Sequence, residues 1–117
     1  MTVLIEDLQA LLEPLAAGGA WYGVCTASPP VYPFIVWQRI ASSPTVALSG
    51  AADLQNTRVQ IDLYGRQLSD LAALEAAVEA AFAASAIVNV PLSSQDLYEP
   101  DVRAFRTLKE YSVWARN

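Results

Sequence analysis

The stretch Thr57-Arg58-Val59-Gln60-Ile61-Asp62-Leu63-Tyr64-Gly65 decides the fold. Val59, Ile61 and Leu63 alternate with Arg58, Gln60, Asp62 and Tyr64, a period of two that sets aliphatic side chains on one face of a strand and polar ones on the other. A strand with one dry face needs a cover. Downstream, Ser69 and Asp70 open a helix that runs to about Ala84, with Leu71, Leu74, Val78 and Phe82 as its core stripe. Glu75 and Glu79 flank that stripe, and Ala73, Ala76, Ala77, Ala80 and Ala84 form the back. Upstream, Thr2 caps a first helix in which Leu4, Leu8, Leu11, Leu12 and Leu15 recur at helical spacing, with Glu6, Gln9 and Glu13 opposite and Gly18-Gly19 as the stop.

The remaining segments follow from these anchors. Residues 20–33 read as a loop rich in Gly, Ser and Pro that carries Trp21, Tyr22 and Cys25. Phe34 to Ile40 is β-branched and aromatic, a strand apolar on both faces at its centre. Residues 42–56 are turn-like, with a short extended piece from Thr45 to Leu48. A short strand at Ile87 to Val90, a loop from Pro91 to about Val102 and a last strand from Arg103 to Trp114 complete the order. The expected architecture is α+β: two helices packed on a mainly antiparallel β-sheet, as a single domain over 1–117.

Composition narrows the function. Of the 117 residues, 54% are hydrophobic and 16% charged, against about 25% charged in a typical domain. That excludes intrinsic disorder and leaves little charge to cover the outside, so part of the surface is expected to be covered by other subunits. Twelve acids and seven bases give a net charge of −5 and a pI near 4.4, and only one base is a lysine, Lys109. Without a cation cluster the chain cannot release counterions from DNA or an anionic membrane. The absence of histidine removes imidazole catalysis and His metal ligation, and a lone cysteine removes an internal disulfide. Residues 14–38 carry no charge, but Gly18, Gly19, Pro29, Pro30 and Pro33 interrupt them, which argues against a transmembrane helix. Glu6 and Asp7 occupy the place of a signal's positive region, so a soluble protein without a targeting segment is expected.

Chemistry finds little purchase. Cys25 has no histidine to activate it, and no serine sits in a G-x-S-x-G elbow. Asp96, Glu99 and Asp101 form an acidic group suited to a hard cation, yet their spacing matches no calcium loop, and a solvated acidic loop is the plainer reading. No catalytic, cofactor or metal residue is expected, which leaves interaction surfaces. The smooth alanine back of the second helix is either a close-approach face or simply good helix-forming sequence. Arg58 and Asp62 belong to either a cross-strand charge network or a subunit seam. Trp37, Trp114, Tyr64 and Tyr111 are amphipathic aromatics of the kind used in sheet packing and in interfaces alike.

The runs Pro33-Phe34-Ile35-Val36-Trp37-Gln38-Arg39-Ile40 and Arg58-Val59-Gln60-Ile61-Asp62-Leu63-Tyr64 carry a resemblance. So do Leu48, Gly50 and Leu54 between them, the alanine-rich helix, Tyr98-Glu99-Pro100 and the closing Arg106-x-x-Lys-Glu-Tyr-Ser-Val-Trp. Together they resemble the small tail completion proteins of long-tailed bacteriophages, the tail terminators and head–tail joining components. Glu110-Tyr111 departs from the Asp-Tyr or Asp-Phe of that pattern. The resemblance implies a structural virion protein of the tail or neck, made in the host cytoplasm, that forms a homo-oligomeric ring, usually a hexamer. Its implied partners are other copies of itself, the tail tube protein and the head–tail connector, with DNA passing through the lumen without specific binding and no membrane involved. The residues expected at such interfaces are Trp37, Arg39, Leu48, Arg58, Asp62, Tyr64, Tyr98, Glu99, Arg106 and Trp114. The competing reading is a host ligand-binding or regulatory module that dimerises through its sheet, with a pocket at loop 20–33 walled by Trp21 and Tyr22. An enzyme using Cys25 or the acidic loop comes last.

Overall fold

The computed structural model describes residues 4–44 and 54–116. Helix α1 (Leu4–Leu12) tightens into one 3-10 turn (Glu13–Leu15), and β1 (Ala20–Tyr22), β2 (Phe34–Pro44) and β3 (Leu54–Gly65) follow. Helix α2 (Leu68–Ala84), β4 (Val88–Glu99) and β5 (Ala104–Arg116) complete the chain. The strands form one sheet in the order β1-β2-β3-β5-β4, parallel only between β1 and β2. Both helices cover the same face of that sheet, so the α+β architecture read from the sequence is the one observed.

The period-two pattern of β3 does what it promised. Val59, Ile61 and Leu63 are fully buried, and the register sets Ile61 between Trp37 of β2 and Lys109 of β5. Leu4, Leu8 and Leu12 of α1 and Leu71, Leu74, Val78 and Phe82 of α2 close over them. Burying each such side chain contributes about 1.5–3 kcal/mol, which makes this face the main stabilising layer. Phe82 stacks on Tyr111 with centroids 4.1 Å apart and planes 13° from parallel. At the end of α1, a side chain on Gly18 would collide with the Val31 carbonyl, and the Gly18 N–H donates to the Pro33 carbonyl at 2.8 Å. That close approach lets the Pro-rich loop fold back beside the helix.

Three expectations change. Residues 20–22 are a strand within the expected loop, paired in parallel with Ile35–Trp37. β2 and β3 are longer than predicted, reaching Pro44 and starting at Leu54, because they pair with each other past the bulge at Arg39/Ala41. The extended piece at Thr45–Leu48 lies outside the described residues. The largest correction is β4: the expected short strand and loop form a single twelve-residue strand from Val88 to Glu99. Pro91 is accommodated because β4 is an edge strand with a register shift between Pro91 and Ser93, one of the few places a sheet tolerates proline.

Candidate subunit interface

β5 places two cations three residues apart, and an odd spacing sends them to opposite faces. Lys109 lies on the helix side, its side chain only 4% exposed, and its Nζ donates to Glu75 Oε2 and Glu79 Oε2, both at 3.0 Å. Both glutamates come from α2, and Glu75 also accepts from the Ser94 hydroxyl of β4 at 2.8 Å. Burial pushes Lys109 down, but the hydrogen bonds to Glu75 and Glu79 outweigh it and hold the ammonium above its ordinary range. Burial likewise raises Glu75, and the bonds from Lys109 and Ser94 overcome that, leaving the carboxyl below its usual value.

Arg106 occupies the open face. Its Nη2 donates to Asp62 Oδ2 at 3.0 Å and its Nη1 to Glu99 Oε2 at 3.2 Å, while its guanidinium sits over the Tyr64 ring at 5.7 Å. Tyr64 in turn stacks on Phe34 at 4.8 Å. Asp62 is 6% exposed, and burial raises its carboxyl despite Arg106 and the hydrogen bond from Gln60. Nearby, Arg58 pairs with Glu110 across the strands. Of the residues expected at interfaces, the structure therefore gathers Asp62, Tyr64, Glu99 and Arg106 into one network with Arg58 close by. Trp37 goes to the core instead: it is 1% exposed, and its indole N–H donates to Gln9 Oε1 at 2.8 Å. Arg39 and Tyr98 are exposed elsewhere on the sheet, Trp114 is half-buried, and Leu48 lies outside the described residues.

The sheet's two edges are unlike. At β1, the outward backbone of Ala20 is occupied by α1: Glu13 Oε1 accepts its N–H at 3.1 Å and Gln9 Nε2 donates to its carbonyl at 2.7 Å. Gln9 and Glu13, assigned by helical spacing to the solvent side, thus blunt one edge strand. β4 has no such cover among the described residues. Val88, Val90, Leu92 and Tyr98 along it are 62%, 46%, 46% and 51% exposed.

Two concavities bear on the pocket expected at loop 20–33. One, of about 370 Å³, lies where the loop after β1 crosses the open face and is lined by Val24, Cys25, Tyr32, Phe34, Tyr64 and Val102, with no charged side chain. Trp21 and Tyr22, expected as walls of such a pocket, line a different, more open groove between α1 and β1. Asp96 and Glu99 cannot share a cation, because they project to opposite faces of β4, where Asp96 accepts from Thr107 Oγ1 at 2.9 Å and Glu99 meets Arg106. Among the described residues no group of His, Cys, Asp or Glu is arranged to hold a metal.

The described residues thus form a sheet with one covered face, a charge network on the other and an edge strand that none of them covers. The family model described as tail completion protein gp17 matches residues 6–116, from α1 through the end of β5. The chain belongs to the tail completion protein gp17 family. No curated protein matches the sequence. The two runs that carried the resemblance form β2 and β3, adjacent central strands of this tail completion fold, and the closing run forms β5. Family membership makes this a phage-tail structural protein that works among other virion components.

Proposed function

We propose that the chain, acting as one tail-completion domain, forms a closed ring at the head-proximal end of a phage tail tube. The ring, a hexamer by the family resemblance, ends tube polymerisation and offers a surface to the head connector. The observation that carries this reading is the family match across residues 6–116. The β4 edge, uncovered among the described residues, and the low share of charged residues support it, since both suit a subunit whose surface is covered on assembly. A net charge of −5 per copy repels phosphate, so DNA traverses the ring without sticking.

Deleting the gene and imaging the particles by negative-stain microscopy tests the proposal. Unjoined heads beside tails of uncontrolled length are expected; normal infectious particles would sink it. A contact through the open face has its own test. Arg58→Glu, at an exposed position on the open face, is expected to weaken self-association in analytical ultracentrifugation. The monomer's thermal melt should be unchanged, because an exposed pair contributes about 0–1 kcal/mol.

A further inference from the structure

Closure about a single rotation axis requires that the surface a copy offers on one side and the surface it accepts on the other lie at the same height. The sheet meets that condition in one place. β1 pairs with β2 only at Ile35–Trp37, so from Gln38 to Pro44 no strand borders the outer edge of β2 among the described residues, although the Arg39 N–H there donates to the Tyr22 hydroxyl at 3.4 Å. The register carries that segment across the sheet: Gln38 is level with Gln60, Glu110 and Ser93, and Ala41 is level with Arg58, Ser112 and Val90. That part of β2 therefore stands at the height of Val88–Ser93 on β4, whose outer edge likewise has no strand beside it among the described residues.

Chemistry favours the same level. Val88, Val90 and Leu92 on one side and Ile40 on the other are all at least 40% exposed, and the segment 88–93 carries no charge. Lower on the sheet a contact fails twice over. The backbone of Ala20 is already occupied by Gln9 and Glu13, and its row runs through Ile35, Leu63 and Thr107 to Asp96, which would set Glu13 of one copy against an acid of the next. Monomeric sheets guard their edges with lysine, proline and bulges; β4 has no lysine and only Pro91 and its bulge, beyond Val90.

We infer that copies of this chain join by sheet extension, the outer edge of β2 from Gln38 to Pro44 pairing with the outer edge of β4 from Val88 to Val90 in the next copy. Within one copy β2 and β4 run in opposite directions, and rotation about an axis along the strands preserves this, so the new pair is antiparallel, the stronger arrangement. Because the two edges differ, the contact is heterologous and continues until the ring closes. The inference rests on the ring reading and specifies its seam.

The test is disulfide trapping in the full chain, with Cys25→Ser removing the native thiol. Three strand spacings, about 14 Å, separate β2 from β4. A disulfide needs Cα atoms within about 7 Å, so no bond can form inside one copy. Single cysteines at 38 or 40 are mixed under oxidant with single cysteines at 88 or 90, and native mass spectrometry follows the assembly. At least one mixed pair is expected to yield a crosslinked dimer, and Ile40→Cys combined with Val90→Cys a ladder ending in one closed species, while each single variant alone stays uncrosslinked. Self-crosslinking of Val90→Cys alone would mean a two-fold contact and overturn the inference. An assembly that forms yet traps none of the four pairs would overturn the seam and leave the ring reading standing. A chain that remains monomeric at every concentration would overturn both. As a second readout, Val90→Lys is expected to weaken self-association at least tenfold without altering the monomer's melt; unchanged association would count against the seam.

Discussion

Lys109 and Arg106 sit three residues apart on one strand, and each is held by two carboxylates, yet the two faces treat them differently. Lys109 is sealed beneath α2, with Glu75 and Glu79 reaching in from a partly solvated rim. Arg106 remains a fifth exposed, and here the acid is the sealed partner: Asp62 lies against the sheet while Glu99 stands nearer to water. On the helix face the cation bears the desolvation, and on the open face the anion does. The carboxyl shifts record the contrast, Glu75 being lowered and Asp62 raised. A buried ion pair contributes little net stability, but removing one partner strands the other, so the side on which the burial falls decides which substitution does harm.

That comparison breaks most visibly at the glutamates. Glu75→Gln with Glu79→Gln leaves a buried ammonium without an anion and is expected to cost about 3–5 kcal/mol in chemical denaturation. Lys109→Met, by contrast, removes the charge and leaves glutamates that water can reach, so a change within about 1 kcal/mol is expected. Equal losses from both variants would mean that the clasp stabilises through the pair itself and not by answering a buried charge.

A pH titration of stability separates the faces next. Glu75, lowered in the fold, contributes stability that is present above its ordinary value near 4.5 and is lost as pH falls through its folded value. Asp62, raised in the fold, acts with the opposite sign: its contribution is present below its ordinary value near 3.8 and lost as pH rises through the folded one. Glu75→Gln should therefore flatten the acid limb of the stability profile, whereas Asp62→Asn should steepen it. The smallest effect is expected from Asp62→Asn near neutrality. There the amide keeps a hydrogen bond to Arg106 while escaping the desolvation of a carboxylate, so a shift within about 1 kcal/mol is predicted. A loss as large as that of the double glutamine variant would erase the difference between the faces.

The sequence was legible wherever burial on one side forces a pattern. Val59, Ile61 and Leu63 show period two because one face is dry, and Leu71, Leu74, Val78 and Phe82 show a helical stripe for the same reason. β4 was not legible: every residue along it is at least partly exposed, no alternation is imposed, and Pro91 reads as a break. The clasp at Lys109 was half legible. Counting by twos from Val113 through Tyr111 places Lys109 on the inward side of β5, an anomaly that asks for an anion, and Glu75 and Glu79 already stood one turn apart at the edge of the α2 stripe. Their meeting is a tertiary fact that no local pattern encodes. The same holds for the cap on β1, where the helical period assigns Gln9 to the solvent side although its amide joins the Trp37 indole to the Ala20 carbonyl.

The bond between Ser94 and Glu75 ties the edge strand to the angular setting of α2. A helix turned by one residue, about 100°, would carry both glutamates away from the ammonium and release Ser94 in the same movement. Only one rotational setting of α2 satisfies all four groups at once, so the helix is indexed like a key in a lock. Anything that turns the key, from the solvent-facing alanine side of α2, is felt across the molecule at β4.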